Sequence, residues 1–564
     1  MVKNTLRLVR WRWVAGWLCV MLPLAAGNAA AQSAQVRGSS VSAQMQVRLF
    51  PQVAAPGDTV WITNVPRGGV EKGGLRVGGQ LTAYTTDPVS GWLRFTVPEK
   101  AGGGPQSVGF TDTDFQRSLM LSLTVLPPES AAQDTVAYLP PDLQVEFPKL
   151  YRQRLEQLLS GCQRSCPPEL TVTIKSLASL EIPAPQPLTP GRQPRKSALP
   201  SAQVTGLRVP TLPPRTTVNP NLSLKNLLRP PAFQPRSGDF CGQVAALLPI
   251  SGLPTGQVIS LLNLLFGGML GTDPSTYGHP TQSQAPYQDG PPATIIQTFL
   301  DRPTGSGKGV VIHVLDTASN TEDPFVTPGL VNYYNVKYPD SPFKPTRPFH
   351  GSIAGQVAQT VAPGAALDYH KVCDKNGVCS TLDTVKALCA VAEEARHGGK
   401  HVVSLSVGGA YPALGVQLAL REVAAAGVPT AASYGNRDDC EGLVKGDRCN
   451  HYPADWSANF AVSRSRNAPT MLLSVAAWDI ATLQTATYNR GVGNPGLISL
   501  PPSVQAPGEF WFGGWPYFGT SFAAPVVAGV LADWMACKPG VPFLPYVNTP
   551  GQLPLPQSVV RACP

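Results

Sequence analysis

The sequence predicts an α/β protein. Residues 291–540 form a parallel sheet flanked by helices, preceded by a small β-sandwich and a proline-rich linker. Three observations predict this. Apolar strand-like runs alternate with helical stretches after residue 291, and strand–helix–strand units imply a parallel sheet with right-handed crossovers. Short period-two runs punctuated by Gly, Pro and Asp fill residues 44–127, as in a sandwich. Residues 183–236 hold 13 prolines, eight Lys or Arg and no Asp or Glu, too little apolar surface to fold alone.

In chain order, Lys3, Arg7, Arg10 and Arg12 precede an apolar run from Trp13 to Ala26 and then Ala29-Ala30-Ala31. This reads as a secretory signal peptide, residues 1–31, cut after Ala31. The expected address is extracellular, periplasmic or cell surface. The remaining chain carries 40 basic and 35 acidic residues, a mild excess that does not argue for nucleic acid. Ten cysteines remain of the eleven, and an even number in an exported chain suggests disulfides. Cys162/Cys166, Cys373/Cys379 and Cys440/Cys449 are close pairs whose connectivity stays open, and none has zinc-ribbon spacing. No later run reads as a transmembrane anchor. Val258 to Leu270 falls short of the ~20 residues required and is expected to pack on another domain.

The sandwich strands include Val47–Phe50, Val60–Thr63, Leu93–Val97 and Leu119–Val125. Residues 134–182 hold an amphipathic helix, Phe147 to Leu159, then a β-like run, Leu170–Ile174. This small segment is a possible pro-region. Residues 238–290 form an apolar, Gly-rich lead into the last domain, and 541–564 a C-terminal tail.

In the last domain, Val310–Leu315 is a buried strand ending at Asp316. A strand follows at Ala366–Val372. The next helix opens with a capping signature, Ser380-x-x-Asp383, and ends at Gly398-Gly399. His401–Ser406 is a strand, Pro412–Ala426 a helix, and Val428–Ser433 a strand leading to Gly435-Asn436. Asp316 and Asn436 thus sit at carboxyl ends of strands, where ligands bind in such sheets.

The chemistry centres on Gly519-Thr520-Ser521-Phe522-Ala523-Ala524-Pro525. It places a serine at the mouth of a small, apolar helix, with Pro525 read as a first-turn proline. A serine nucleophile needs a base and a carboxylate to orient it. All seven histidines precede Ser521, which excludes the α/β-hydrolase order. His313 and His370 lie inside strands and read as structural. His397 and His401 flank a helix end, His279 is in a polar loop, and His451 is beside Cys449. His350 opens a helix in His350-Gly351-Ser352-Ile353-Ala354-Gly355.

These stretches resemble the subtilisin-like serine proteases. Gly519–Pro525 is similar to the family's G-T-S-x-A-x-P, Asp316-Thr317 to its D-T-G, and His350–Gly355 to its H-G-[ST]-x-x-A-G. Gly435-Asn436 is similar to its oxyanion-hole asparagine. The resemblance covers residues 300–540 and implies a subtilisin-like fold, with Asp316, His350 and Ser521 as triad and Asn436 as oxyanion donor. It implies a substrate-pairing strand at Ser404, Leu405, Ser406, Val407 and Gly408, and protein or peptide substrates. Ala55–Val60, Leu75–Gly79 and Phe95–Pro98 resemble an immunoglobulin-like domain of the IPT/TIG type. Departures are Ala318 after Asp316-Thr317, a His350 motif one residue short, and Phe518 before Gly519. These motivate an alternative, a catalytically impaired homologue that binds or adheres at a surface. No cofactor or metal is required by the sequence. Calcium is possible in the family, but no acidic loop supports it. Oligomeric state is left open.

Overall fold

The computed structural model describes residues 47–63, 65, 74–88, 91–112, 117–127, 134–144, 146–162, 168–178, 186–188, 240–250, 254–266, 270–280, 306–317, 350–374, 377–443, 445–460, 471–479, 484–493, 496–512 and 515–538. The stretch expected to be a signal peptide, most of the stretch read as linker, Ala318 and residues 541–564 lie outside these residues.

Among the described residues, nine strands make the N-terminal layers: β1 Arg48–Phe50, β2 Val53–Ala54, β3 Thr59–Thr63, β4 Leu75–Val77, β5 Gln80–Thr82, β6 Tyr84–Thr86, β7 Leu93–Thr96, β8 Gly104–Asp112 and β9 Arg117–Val125. They pair as two sheets, ordered β1-β3-β7-β6 and β2-β9-β8-β4-β5. Alternate residues face inward: Leu93 and Phe95 are buried while Arg94 and Thr96 are exposed. Val60, Ile62, Phe95, Val108 and Leu123 share the core between the sheets.

A β-α-β-β-α-β unit follows. It comprises β10 Thr135–Leu139, α1 Phe147–Cys162, α2 Pro168–Ala178 as an additional helix, β11 Gln186–Pro187, β12 Ala245–Ile250, α3 Thr255–Phe266 and β13 Gly271–Pro274. Its antiparallel sheet runs β11-β12-β10-β13. Thus two residues of the stretch read as linker, Gln186 and Pro187, pair with Ala246 and Ala245. Strand β10 shows why the sheet is covered on both sides. Ala137 and Leu139 join Phe147, Tyr151, Leu262 and Phe266 of the helices, while Val136 and Tyr138 face the opposite core. The apolar stretch around Val258 is helix α3, and it does pack on the sandwich. Phe50 and Trp61 share its core, and a side chain at Gly256 would meet the Val53 carbonyl at 2.5 Å.

The β-like run Leu170–Ile174 is corrected: it lies in helix α2. Val172 is 62 % exposed while Ile174 is buried, so the two do not share a strand face. Pro168 at the first helical position and Lys175 near the end are helix signals that the β-branched run obscured.

After strand β14, Thr276–Pro280, comes the parallel sheet. Its elements are β15 Val310–Asp316, α4 His350–Val361, β16 Ala366–Lys371, β17 Cys379–Ser380, α5 Thr381–Arg396, β18 Lys400–Leu405, β19 Val407–Gly408, α6 Leu414–Ala425, β20 Thr430–Ser433, β21 Leu472–Asp479, β22 Gln484–Thr485, β23 Val504–Pro507, β24 Glu509–Phe512, β25 Trp515–Phe518 and α7 Thr520–Cys537. The sheet runs β16-β15-β18-β20-β21, with β23 parallel and β22 antiparallel to β21. Ile312 and Val314 pack against α4 and α7, and Leu315 and Val403 against α5 and α6. Ser380 caps α5 by accepting from the Asp383 amide at 3.1 Å. Gly398 and Gly399, at φ 105° and 108°, stop it. Helix α7 is apolar and long enough to cross a membrane by composition alone, but 83 % of it is buried as the central helix.

The β-α-β-β-α-β sheet docks on α5 and α6. Val136, Tyr138, Phe240 and Ile259 share a core with Leu388, Val391, Val416 and Leu420. Cys241 is disulfide-bonded to Cys389 of α5, and the Phe240 amide donates to Glu422 at 2.9 Å. Helix α6 lacks a side-chain cap of its own. Buried Asp273 of β13 supplies it, accepting from the Leu414 and Gly415 amides at 2.7 Å each.

Burial pushes the Asp273 carboxyl up to about 7, outweighing the Gly415 and Leu414 amides, which favour its ionised form. The folded pKa lies above the unfolded value, so this group's contribution is full below about pH 4. It is lost as pH rises through about 7. Stability to urea is expected to fall between pH 4 and 8 by on the order of 2–4 kcal/mol more than in Asp273→Asn. Parallel pH profiles for the two proteins would refute this.

Candidate active site

Each candidate side chain is placed by a strand end or a helix start. β15 ends at Asp316, which is fully buried. Its Oδ1 accepts from the Thr317 amide at 2.7 Å. The Thr317 hydroxyl in turn accepts from the Gly351 amide at 3.1 Å, joining the strand end to the first turn of α4. Helix α4 starts at His350 itself. The ring reaches back from this helix to the strand end. His350 Nδ1 lies 2.8 and 2.9 Å from the two Asp316 carboxylate oxygens, which fixes the tautomer with Nδ1 as donor. Nε2 points away from the carboxylate and has no hydrogen-bond partner among the described residues. Gly355 is needed for close approach: a side chain there would meet the Tyr369 hydroxyl of β16 at 2.1 Å.

Ser521 stands in the first turn of α7, behind Gly519 at φ 149°. The His350 ring packs on Phe522, the next residue, at 4.9 Å between centroids, while its Nε2 makes no hydrogen bond to the Ser521 hydroxyl. Pro525 lies inside α7, not in its first turn. A proline cannot donate to the carbonyl four residues back, here that of Ser521. The Ser406 hydroxyl donates to that carbonyl instead, at 2.7 Å. This repair ties the helix of Ser521 to the strand region beside it.

Asn436 follows β20 and is buried. Its Oδ1 accepts from the Thr520 amide at 3.1 Å, leaving its NH2 as the donor end. The Gly435 amide donates to the Thr520 hydroxyl at 3.1 Å. Gly435, at φ 101°, has no room for a side chain beside the His451 ring. The Asn436 amide donates to Asp439 at 2.8 Å. Burial opposes the charge on Asp439, but the rings of His279 and His451, each 3.2 Å away, hold its carboxyl well below the usual range.

A carboxylate-held imidazole packed on the first turn of a helix that carries a serine has the components of an acyl-transfer site. Residues 307–544 match the model of the subtilase family, peptidase S8. This segment belongs to that family. Its fold is the subtilisin-like α/β fold. The match leaves residues 44–127 uncovered, so the IPT/TIG-like reading rests on the sequence resemblance. No curated protein matches the chain. Among solved structures, Sphericase is 24 % identical, covering 44 % of this chain and 85 % of its own, with a TM-score of 0.30. The S41 psychrophilic protease is 22 % identical, covering 47 % and 86 %, TM-score 0.31. Fervidolysin from Fervidobacterium pennivorans, described as a keratinolytic enzyme related to subtilisin, is 17 % identical, covering 56 % and 52 %, TM-score 0.31.

The five residues of the subtilase domain expected to pair with substrate are placed differently from one another. Ser404 and Leu405 lie inside the parallel sheet, paired with β15 on one side and β20 on the other, so they offer no edge. Ser406 faces Ser521, as above. Only Val407 and Gly408 pair with an added strand, and that strand is the chain's own β14. His279 is opposite Gly408 and Pro280 opposite Val407, antiparallel, while the other edge of β14 pairs with β17. Gly278 lies so close that a side chain there would meet the Gly408 carbonyl at 2.1 Å. The sequence reading placed His279 in a loop. A lone glycine in an alternating run, Thr276–Pro280, was the available sign of close backbone approach.

Proposed function

We propose that this chain is an exported subtilisin-like serine endopeptidase, held latent by its own strand β14. The observation that carries the reading is the Asp316–His350 pair, 2.8 Å apart, with the His350 ring packed on Phe522, the residue after Ser521. Ser521 Oγ attacks the peptide carbonyl, and His350 Nε2 takes its proton and returns it to the leaving amine. Asp316 keeps the ring oriented and stabilises its charged form. The Asn436 NH2 and the Ser521 amide stabilise the oxyanion. Water then hydrolyses the acyl-enzyme. Export is supported by Cys241–Cys389, Cys373–Cys379 and Cys440–Cys449, since such bridges persist in oxidising compartments.

Latency is supported by where β14 lies. Extended peptides add to strand edges, and β14 occupies the edge of Val407–Gly408. It also runs toward Ser406, whose hydroxyl contacts the nucleophile residue. Ser521 has no exposed surface in this arrangement. The test is labelling of the purified protein with a fluorophosphonate after limited proteolysis and reduction of the Cys241–Cys389 bridge, with mass mapping. Label on Ser521, absent from His350→Ala, is expected. An unlabelled Ser521 in a protein cleaved after Pro280 and freed of the Cys241–Cys389 bridge would sink the catalytic reading.

A further inference from the structure

Three histidines outside the triad come together on one side of the parallel sheet. His313 is on β15, His370 on β16 and His401 on β18. His313 shares the face of Leu315, two residues on, whose side chain joins the α5 and α6 core. Asp368 of β16 is directly opposite His313 in the register.

Three ligand-type atoms form a nearly equilateral triangle. His313 Nδ1 is 3.1 Å from His370 Nε2 and 3.2 Å from Asp368 Oδ2. His370 Nε2 is also 3.2 Å from Asp368 Oδ2. Ligands held at about 2.0–2.1 Å around a tetrahedral centre lie about 3.3 Å apart.

Proton counting shows which lone pairs point inward. His401 Nε2 lies 3.2 Å from the Gly398 carbonyl, which only accepts, so Nε2 carries the proton. A neutral His401 then accepts at Nδ1, and its neighbour at 3.0 Å is His313 Nε2. His313 therefore donates from Nε2, and its Nδ1 is a lone pair. That lone pair faces a carboxylate oxygen, and the single N–H that His370 Nε2 can supply cannot separate the two acceptors. A cation at the centre of the triangle satisfies all three atoms. It also gives His313 the outward N–H donor chain, through His401 to Gly398, that orients metal-bound imidazoles. Glu394 of α5 adds a carboxylate oxygen within 4.8 Å of the His313 and His401 nitrogens.

We propose that His313, Asp368 and His370 form a divalent-metal site suited to Zn²⁺, pinning β16 to β15 three residues before Asp316. Two imidazoles and one carboxylate are a borderline-soft donor set that favours zinc over calcium or magnesium. Entry is from solvent past the Asp368 side chain, 47 % exposed, and His370, 17 % exposed. A water completes the coordination there. The site is built from strand residues and is independent of the reading of Ser521 as nucleophile.

The experiment uses the full chain carrying Ser521→Ala, which cannot digest itself. Chelator-stripped protein is titrated with Zn²⁺ in competition with a chromophoric chelator, and the metal retained after gel filtration is measured. One zinc per chain is expected, with a rise in Tm on loading. Asp368→Ala and His370→Ala, both at partly exposed positions, are each expected to weaken binding by about 100-fold or more and abolish the Tm rise. Matching Tm values in chelator check that they fold. No retained zinc in the parent, or parent-like affinity in both variants, overturns the proposal.

Discussion

Ser521→Ala is expected to lower kcat on a peptide substrate by about 10⁶-fold, the order found when the serine of such a triad is removed. Asp316→Asn is expected to lose about 10⁴-fold. The difference follows from geometry. Without Ser521 no acyl-enzyme forms at all. Without the Asp316 charge, the nucleophile and the oxyanion donors stay in place, but the amide that replaces the carboxylate no longer fixes Nδ1 as the donor. The wrong tautomer leaves no lone pair on Nε2, and the imidazolium formed in the transition state loses its neighbouring anion. Both measurements belong on Cys241→Ser/Cys389→Ala protein cleaved after Pro280 by an added protease, because the uncleaved or bridged chain keeps β14 in place. An Asp316→Asn enzyme with kcat within tenfold of the parent would mean that the 2.8 Å contact to His350 is structural. The double variant should be no worse than Ser521→Ala alone, since residues acting as one unit do not add.

The parts of this arrangement legible in the sequence are those whose signal is local. Ser380 and Asp383 mark a helix start because a hydroxyl three residues from an amide can cap it, and the bond is there at 3.1 Å. Asp316, His350, Asn436 and Ser521 each sit in a motif whose neighbours do identifiable local work. Thr317 bonds to Gly351, and Gly435 takes a φ of 101°. What escaped the sequence is carried by pairings between distant segments. The cap of α6 comes from Asp273, more than 140 residues upstream in bonding to Gly415, and nothing near Leu414 announces it. Gln186 and Pro187 look like linker, yet they pair with β12 because an open sheet edge offers them hydrogen bonds. His313 and His370 read as structural residues inside strands, and His401 as flanking a helix end. Only the parallel register makes them neighbours. Leu170–Ile174 failed for another reason: five β-branched or apolar residues satisfy a strand pattern, and helix spacing decides the matter only through which of them is buried.

Cutting the chain after Pro280 is expected to leave activity low while the Cys241–Cys389 bridge holds, and to raise it by about 100-fold once the bridge is gone. The cut alone frees one end of β14. It leaves the apolar contacts of Val136, Tyr138, Phe240 and Ile259 with α5 and α6, and the Asp273 cap on α6. The disulfide joins this unit to α5 across 148 residues of sequence, so a cut between them does not separate the parts. A tethered strand rebinds at an effective concentration in the millimolar range, and an untethered one at its assay concentration, which is lower by several orders of magnitude. The measurement is therefore a pair: the cleaved parent and cleaved Cys241→Ser/Cys389→Ala, each assayed by dilution on a peptide substrate. Gel filtration reports whether residues up to Pro280 remain attached. The variant should shed that fragment and gain activity together, and adding the fragment back should restore inhibition in proportion to its concentration. Full activity in the cleaved parent with the fragment still bridged would show that β14 leaves the Val407–Gly408 edge without the rest of its unit, and that the docked sheet plays no part in latency. The disulfide then has a consequence that the strand pairing alone does not. It makes relief of inhibition depend on either reduction or a second cut between Cys241 and Thr276, and so it sets the order in which a maturing protease must be processed.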